Sequence, residues 1–333
     1  MPIFYVDYNI LQHKLDCIVC PMRLSKLFLK EGICGEIYKA AGDELLDLFQ
    51  HNIPLDGGNL SITEGLKLSN KVIHIVVPEF VLDCFTDEIY NTYMEVFDAI
   101  RENKFNSIVF PPLPYSYKRV GNMNSYKTSL NFIKYFLEYE PVDYNFYIMV
   151  DKRTMQDHLD NYTSTYVSTS FPISKRHKQR NYPFVTKKKL DDYVKKNKKI
   201  SDDVALLKQK DYNVVLTNTK YEPIYKMIKD LYSDDKTFCL LANINPTHYI
   251  NMFNGDYTPS KYELLAMLIA LRLPINTIEE MLSLANYKLE LTEKSDVYII
   301  YLLNQGIYDI TTLNEKLFLS DFQQLGSYTK PNI

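Results

Sequence analysis

Between Met1 and Tyr162 the apolar residues switch between two periods. Continuous apolar or β-branched runs predict strands at Ile3–Val6, Asp16–Cys20, Leu60–Thr63, Lys71–Val77, Ser107–Phe110 and Phe146–Val150. The run KVIHIVV at Lys71–Val77 has the pattern of a strand covered on both faces, as in a parallel sheet. Between these runs apolar residues recur at helical spacing. Helices are predicted over Gly35–Leu48, Asp87–Asn103 and Ser125–Glu138, with a closing helix over Asp151–Tyr162. Strands alternating with helices predict an α/β fold: a three-layer α/β/α sandwich around a largely parallel sheet.

From Thr163 to Asp211 the periodicity fades and Ser, Thr, Lys and Pro dominate, so this stretch reads as a linker. Tyr212–Leu216 reads either as an isolated strand or as part of the connection. From Glu222 the pattern is helical to the end. Helices are predicted over Glu222–Tyr232, Lys236–Asn243, Pro246–Phe253, Ser260–Leu271, Asn276–Ala285, Glu293–Gln305 and Ile310–Leu319. Ser260 is an N-cap with Glu263 three residues later, the spacing of a capping box. The chain is therefore expected to comprise an α/β domain (1–162), a basic linker (163–211) and a separate all-α domain (212–333).

A length of 333 residues agrees with about two domains. No apolar run reaches the ~18 residues that suggest a membrane span. The acidic and aromatic start, Met1 to Tyr8, lacks the basic then apolar pattern of a secretory signal, so a cytoplasmic protein is expected. Five cysteines, at 17, 20, 34, 84 and 239, match neither a disulfide framework nor a zinc pattern. Reduced thiols, no metal and no cofactor are expected. Cys17 and Cys20 lie three apart on a strand and face opposite sides, which excludes a shared metal or redox pair. His74, in the middle of an apolar strand, reads as a satisfied core histidine. With 38 Lys+Arg against 41 Asp+Glu the net charge is −3, which excludes a surface coated in basic charge. The basic residues are concentrated instead: 11 Lys/Arg against two Asp lie between Ser174 and Ile200. No phosphate-binding P-loop, zinc-protease motif or nucleophile elbow is present in the sequence.

Several segments, in order, resemble the macrodomain family of ADP-ribose-binding proteins. They are Asp16-Cys17-Ile18-Val19; Gly32-Ile33-Cys34-Gly35-Glu36-Ile37 followed by Ala40-Ala41-Gly42; Ile62–Leu68; Val72–Pro78; and Ser107–Leu113. The resemblance covers roughly residues 1–160 and implies a nucleotide site outside the carboxyl ends of the strands. It assigns Asp16 to an adenine amino group, and Cys17 goes with it. It assigns Gly32, Ile33 and Gly35 to a phosphate loop before the Glu36 helix, where backbone N–H groups and the helix dipole favour anions. The sequence also departs from the family. Its Asn-Ala-Ala-Asn is Cys20-Pro21-Met22-Arg23, so Arg23 replaces the asparagine that orients the distal ribose in catalytic members. The glycine-rich second loop is Pro114-Tyr115-Ser116-Tyr117-Lys118-Arg119, with no glycine until Gly121. Arg23, Lys118 and Arg119 offer charged donors to phosphates, Tyr115 and Tyr117 offer stacking surfaces, and Ser116 completes the loop.

Lys236–Tyr287 resembles a helix-turn-helix domain of the phage-repressor type. The resemblance rests on Phe238–Ala242, Asn245–Asp256, Thr258–Ala266 and Leu271–Pro274. It makes Asn245, Thr247, His248 and Asn251 candidate DNA-reading residues, since Asn can pair with adenine in the major groove. That helix carries no Lys or Arg, whereas phosphate contacts supply much of DNA affinity. The alternative is a helical interaction module that binds protein or forms a homo-oligomer.

The leading expectation is a binding protein that senses ADP-ribose or a related NAD-derived nucleotide, free or protein-attached, coupled to the helical domain. An ADP-ribosyl hydrolase is the first alternative, disfavoured by Arg23. A helix-turn-helix regulator of bacterial type with a degenerate macrodomain is the second.

Overall fold

The computed structural model describes residues 2–22, 32–52, 60–77, 87–113, 122–140, 143–152, 155–156, 186–196, 214 and 216–327. Its sheet has six strands: β1 (Ile3–Val6), β2 (Leu15–Met22), β3 (Leu60–Glu64), β4 (Ser69–Val76), β5 (Ser107–Phe110) and β6 (Asn145–Met149). Their order is β1-β6-β5-β2-β4-β3. β2 runs parallel to both β4 and β5, and β3 closes one edge antiparallel to β4. β1 is parallel to β6, since the N–H groups of Phe146 and Val150 donate to the carbonyls of Pro2 and Val6. In β2, Cys17 to Met22 are all buried, and in β4 so are Val72 to Ile75. Consecutive burial means both faces are covered, as the apolar runs predicted.

The chain divides into two compact units. One comprises Val6–Tyr135, Tyr147–Asn197 and Pro331–Ile333; the other comprises Met1–Tyr5, Phe136–Phe146 and Lys198–Lys330.

In the first unit the helix expected over Gly35–Leu48 is two helices, α1 (Gly32–Ala41) and α2 (Asp43–Asn52). Gly42 separates them at φ +99°, a conformation that favours glycine and ends α1. α3 (Asp87–Glu102) buries Ile89, Tyr90, Tyr93, Val96, Phe97 and Ile100, one stripe at helical spacing, and packs on β4. Tyr93 stacks on Phe132 of α4 (Asn122–Tyr139), with centroids 3.9 Å apart. The basic stretch read as linker contains a helix, α5 (Lys187–Lys196). Its buried face is only Leu190 and Val194, too few apolar positions to show a period among the lysines. Tyr193 fixes it, donating to Asp87 Oδ1 at 2.6 Å and lying 5.0 Å from the Tyr90 ring. The closing helix expected over Asp151–Tyr162 falls mostly outside the described residues.

The second unit carries the seven helices expected from Glu222 onward: α6 (Glu222–Leu231), α7 (Asp235–Ala242), α8 (Pro246–Asn254), α9 (Lys261–Ala270), α10 (Ile275–Ser283), α11 (Lys294–Asn304) and α12 (Ile310–Leu319). α9 is buried on all sides from Glu263 to Ala270, which marks it as the core helix of the unit. The capping box of Ser260 and Glu263 forms as expected.

β1 is an edge strand, and its outward backbone groups are met by two side-chain amides of the same unit. Asn243 accepts from the Ile3 N–H at 2.7 Å and donates to the Ile3 carbonyl at 3.1 Å. Gln324 accepts from the Tyr5 N–H at 2.9 Å and donates to the Tyr5 carbonyl at 2.8 Å. Alternate strand residues present their hydrogen-bonding groups to the same side. Asn243 and Gln324 therefore stand in for a neighbouring strand and close an edge that would otherwise invite pairing with another chain.

Candidate functional site

The carboxyl end of β2 organises a polar cluster within the first unit. Parallel pairing sets Cys20 beside His74, Pro21 beside Ile75 and Met22 beside Val76. α1 is held against this end of the strand. The Cys34 thiol, in its first turn, donates to the Pro21 carbonyl, and the Cys20 thiol donates to the Cys34 sulfur at 3.4 Å. One turn further on, the Tyr38 hydroxyl lies 3.2 Å from His74 Nδ1 and 3.8 Å from the Met22 sulfur. The other ring nitrogen, His74 Nε2, lies 2.8 Å from Thr63 Oγ1 of β3.

His74 is therefore a satisfied core histidine, hydrogen-bonded at both ring nitrogens. Burial pushes its pKa down to about 4, so it is neutral at pH 7. An unfolded histidine titrates near 6.5, so below that pH the unfolded chain binds the extra proton first. Stability that is full above about pH 6.5 is thus lost as pH falls toward 4. We expect urea midpoints to decline across this window, with a flatter decline in His74→Gln.

These contacts aim the start of α1 along the carboxyl edge of β2. The N–H groups of a helix's first turn have no intrahelical acceptors, and the helix dipole adds partial positive charge there. Gly32 and Gly35 lie inside this first turn rather than ahead of the helix, as the sequence had suggested. Ile33 beside them is buried.

Asp16 and Cys17 do not join this group. Both lie toward the amino end of β2, roughly 17–20 Å from Met22 along an extended strand. Asp16 Oδ2 accepts from the N–H groups of Asn106 (2.9 Å) and Ser107 (3.0 Å), and the Ser107 hydroxyl accepts from the Asp16 N–H. Its carboxylate caps the start of β5. Cys17 is fully buried, and burial with the neighbouring Asp16 charge pushes its thiol pKa up. Arg23, Tyr115, Ser116, Tyr117, Lys118 and Arg119 lie outside the described residues. The segment leading to the second loop is fixed: Ser129 Oγ accepts from the Leu113 N–H at 2.7 Å, and the Tyr93 hydroxyl donates to the Leu113 carbonyl.

A carboxylate that the sequence reading passed over is Asp7, which directly follows β1. It caps the 3₁₀ turn Tyr8–Gln12, accepting from the Asn9 N–H at 2.9 Å, and this turn packs on α1. The available signal was an acidic residue immediately after an apolar strand run, the place where α/β sheets carry ligand contacts.

In the second unit three of the candidate DNA-reading residues, Asn245, Thr247 and His248, have side chains engaged by their own fold. Asn245 Oδ1 caps α8, accepting from the N–H groups of Thr247 (2.8 Å) and His248 (3.4 Å). The Thr247 hydroxyl donates to Asp143. His248 Nδ1 lies 2.7 Å from Glu263 Oε1, and its ring stacks on Tyr257 at 4.4 Å. Asn251 is half-buried, and its carbonyl accepts from Asp256 and Tyr257. Among the described residues no His/Cys/Asp/Glu cluster could hold a metal, and no helix is long and apolar enough to cross a membrane.

The Macro domain family model matches residues 24–121. An uncharacterised protein of Fusobacterium nucleatum is 28% identical over 134 residues, covering 39% of this chain and 77% of its own length. The Oceanobacillus iheyensis macrodomain with ADP is 24% identical at a TM-score of 0.38, over 49% of this chain and 90% of that one. The Trypanosoma brucei macrodomain in complex with ADP-ribose is 20% identical at a TM-score of 0.38, over 48% and 68%. The N-terminal part of the chain thus carries a macrodomain-like α/β sheet, followed by a helical C-terminal region.

Proposed function

We propose that the α/β unit binds ADP-ribose or a related NAD-derived nucleotide, and that the helical unit localises or relays that binding. The observation that carries this reading is the glycine-bearing first turn of α1, clamped to the carboxyl end of β2 inside the segment that matches the Macro domain model. A diphosphate there would accept from free backbone N–H groups at the positive end of a helix. In this reading Asp7, on the turn packed against α1, rather than Asp16 would accept from an adenine amino group. Arg23 stands where catalytic relatives carry the ribose-orienting asparagine, which favours binding without turnover over hydrolysis. The side-chain engagements of Asn245, Thr247 and His248 favour a protein-interaction role for the helical unit over DNA reading.

Calorimetry with ADP-ribose tests the reading. Binding is expected, with no ADP-ribose released from a modified protein in a parallel assay; release would replace the sensor with a hydrolase. Gly32→Asp should weaken binding about tenfold or more by placing like charge at the diphosphate, while Tm does not fall, because Asp is favoured in a helix's first turn. Asp7→Asn should weaken binding by about tenfold, the scale of one charged hydrogen bond. Asp16→Asn should leave affinity unchanged and lower Tm instead. If Asp16→Asn abolished binding in a folded protein, the placement of the site at α1 would be wrong.

A further inference from the structure

The contact between Cys20 and Cys34 has a chemistry of its own. The two residues are 14 apart in sequence, one at the end of a strand and the other in the first turn of a helix. Their sulfurs nevertheless lie 3.4 Å apart, in van der Waals contact. Both are free thiols in this structure. Sequence spacing pointed only to Cys17 and Cys20, which face opposite sides of the strand; the partner for Cys20 comes from another element. Closing the gap to a bonded pair needs a shift of about 1.4 Å, the scale of a side-chain adjustment.

We propose that Cys20 and Cys34 form an oxidisable dithiol whose disulfide fastens the first turn of α1 to the end of β2. Cys34 is 8% exposed and Cys20 is fully buried, so Cys34 meets a reagent first. The hydrogen bond to Cys34 and burial also push the Cys20 thiol pKa up, which leaves it the poorer initial nucleophile. The oxidant is a small-molecule disulfide. The Cys34 thiolate attacks one sulfur of the reagent, forms a mixed disulfide and expels the first reagent thiolate. The Cys20 thiolate then attacks the Cys34 sulfur, forms the internal disulfide and expels the second. Two electrons pass from the protein sulfurs to the reagent, and the two cysteine protons end on the two released thiols. This inference rests on the sulfur geometry and is independent of the ligand.

The test uses the full chain, reduced and then incubated with excess glutathione disulfide at pH 8. Remaining thiols are alkylated in denaturant and the peptides are mapped. The expected result is loss of the Cys20 and Cys34 thiols to alkylation, with a Cys20–Cys34 cross-linked peptide pair that disappears on reduction. Cys20→Ser should stop at glutathione on Cys34, and Cys34→Ser should leave Cys20 unmodified. The wild-type map alone decides if either variant fails to fold. Five alkylated cysteines, a cross-link to a different cysteine, or a mixed disulfide persisting on Cys34 of the wild type would each overturn the proposal.

Discussion

Asn243→Ala is expected to destabilise the helical unit by about 3–5 kcal/mol, because it leaves several buried backbone groups without partners. Asn243 is 7% exposed, yet its amide makes three hydrogen bonds, two to Ile3 and one to the Leu325 carbonyl. Alanine removes all three and leaves those N–H and C=O groups in a dry environment. The backbone adds a second cost, since Asn243 sits at φ +56°, which asparagine tolerates better than alanine. Asn243→Gly should therefore recover about 1 kcal/mol of the loss by relieving backbone strain alone. Gly326 shows how tightly the site is built: a Cβ there, at φ +109°, would lie 2.2 Å from the Asn243 carbonyl oxygen. Thermal unfolding of the full chain measures the effect, and a Gln324→Ala double-mutant cycle should show coupling, because both amides hold the same strand. An Asn243→Ala variant within 1 kcal/mol of wild type would mean that the β1 edge is not held by these amides.

Glu263→Ala should cost a similar amount, about 3–5 kcal/mol, and should also change the acid stability of the protein. The carboxylate is 3% exposed and takes hydrogen bonds from the Ser260 N–H, the Tyr257 hydroxyl and His248. Burial opposes its ionisation, but hydrogen bonds from His248, the Ser260 N–H, Ser327 and Tyr257 outweigh burial and hold its pKa near 2. An unfolded glutamate titrates near 4.5, so protons bind the unfolded chain first. The resulting stability, roughly 3 kcal/mol, is present above about pH 4.5 and disappears as pH falls toward 2. This window lies below that of His74, so the two groups separate in an acid titration followed by urea unfolding. Glu263→Gln keeps an acceptor but not the charge. It should lose the step below pH 4.5 while retaining part of the stability at pH 7. Retention of the full acid step in Glu263→Gln would assign it to other carboxylates.

Period alone determined the strand order of the first part and the seven-helix order of the second, because strands covered on both faces leave continuous apolar runs and amphipathic helices leave a 3.6-residue stripe. The capping box at Ser260 and the isolation of His74 in an apolar strand were also local facts, and both hold in the structure. Other features required the folded chain. That the Asp16 carboxylate caps the start of β5 is one, because the N–H groups it accepts from lie about 90 residues away in the chain. That Cys20 meets Cys34, and that Asn243 and Gln324 complete a strand near the other end of the chain, are contacts between elements that no local spacing encodes. Helix α5 has only two buried apolar residues, so its place was fixed by Tyr193 and Asp87 rather than by periodicity. Local pattern is written by which side of an element is dry; which groups then meet across that dry side is set only when the elements pack.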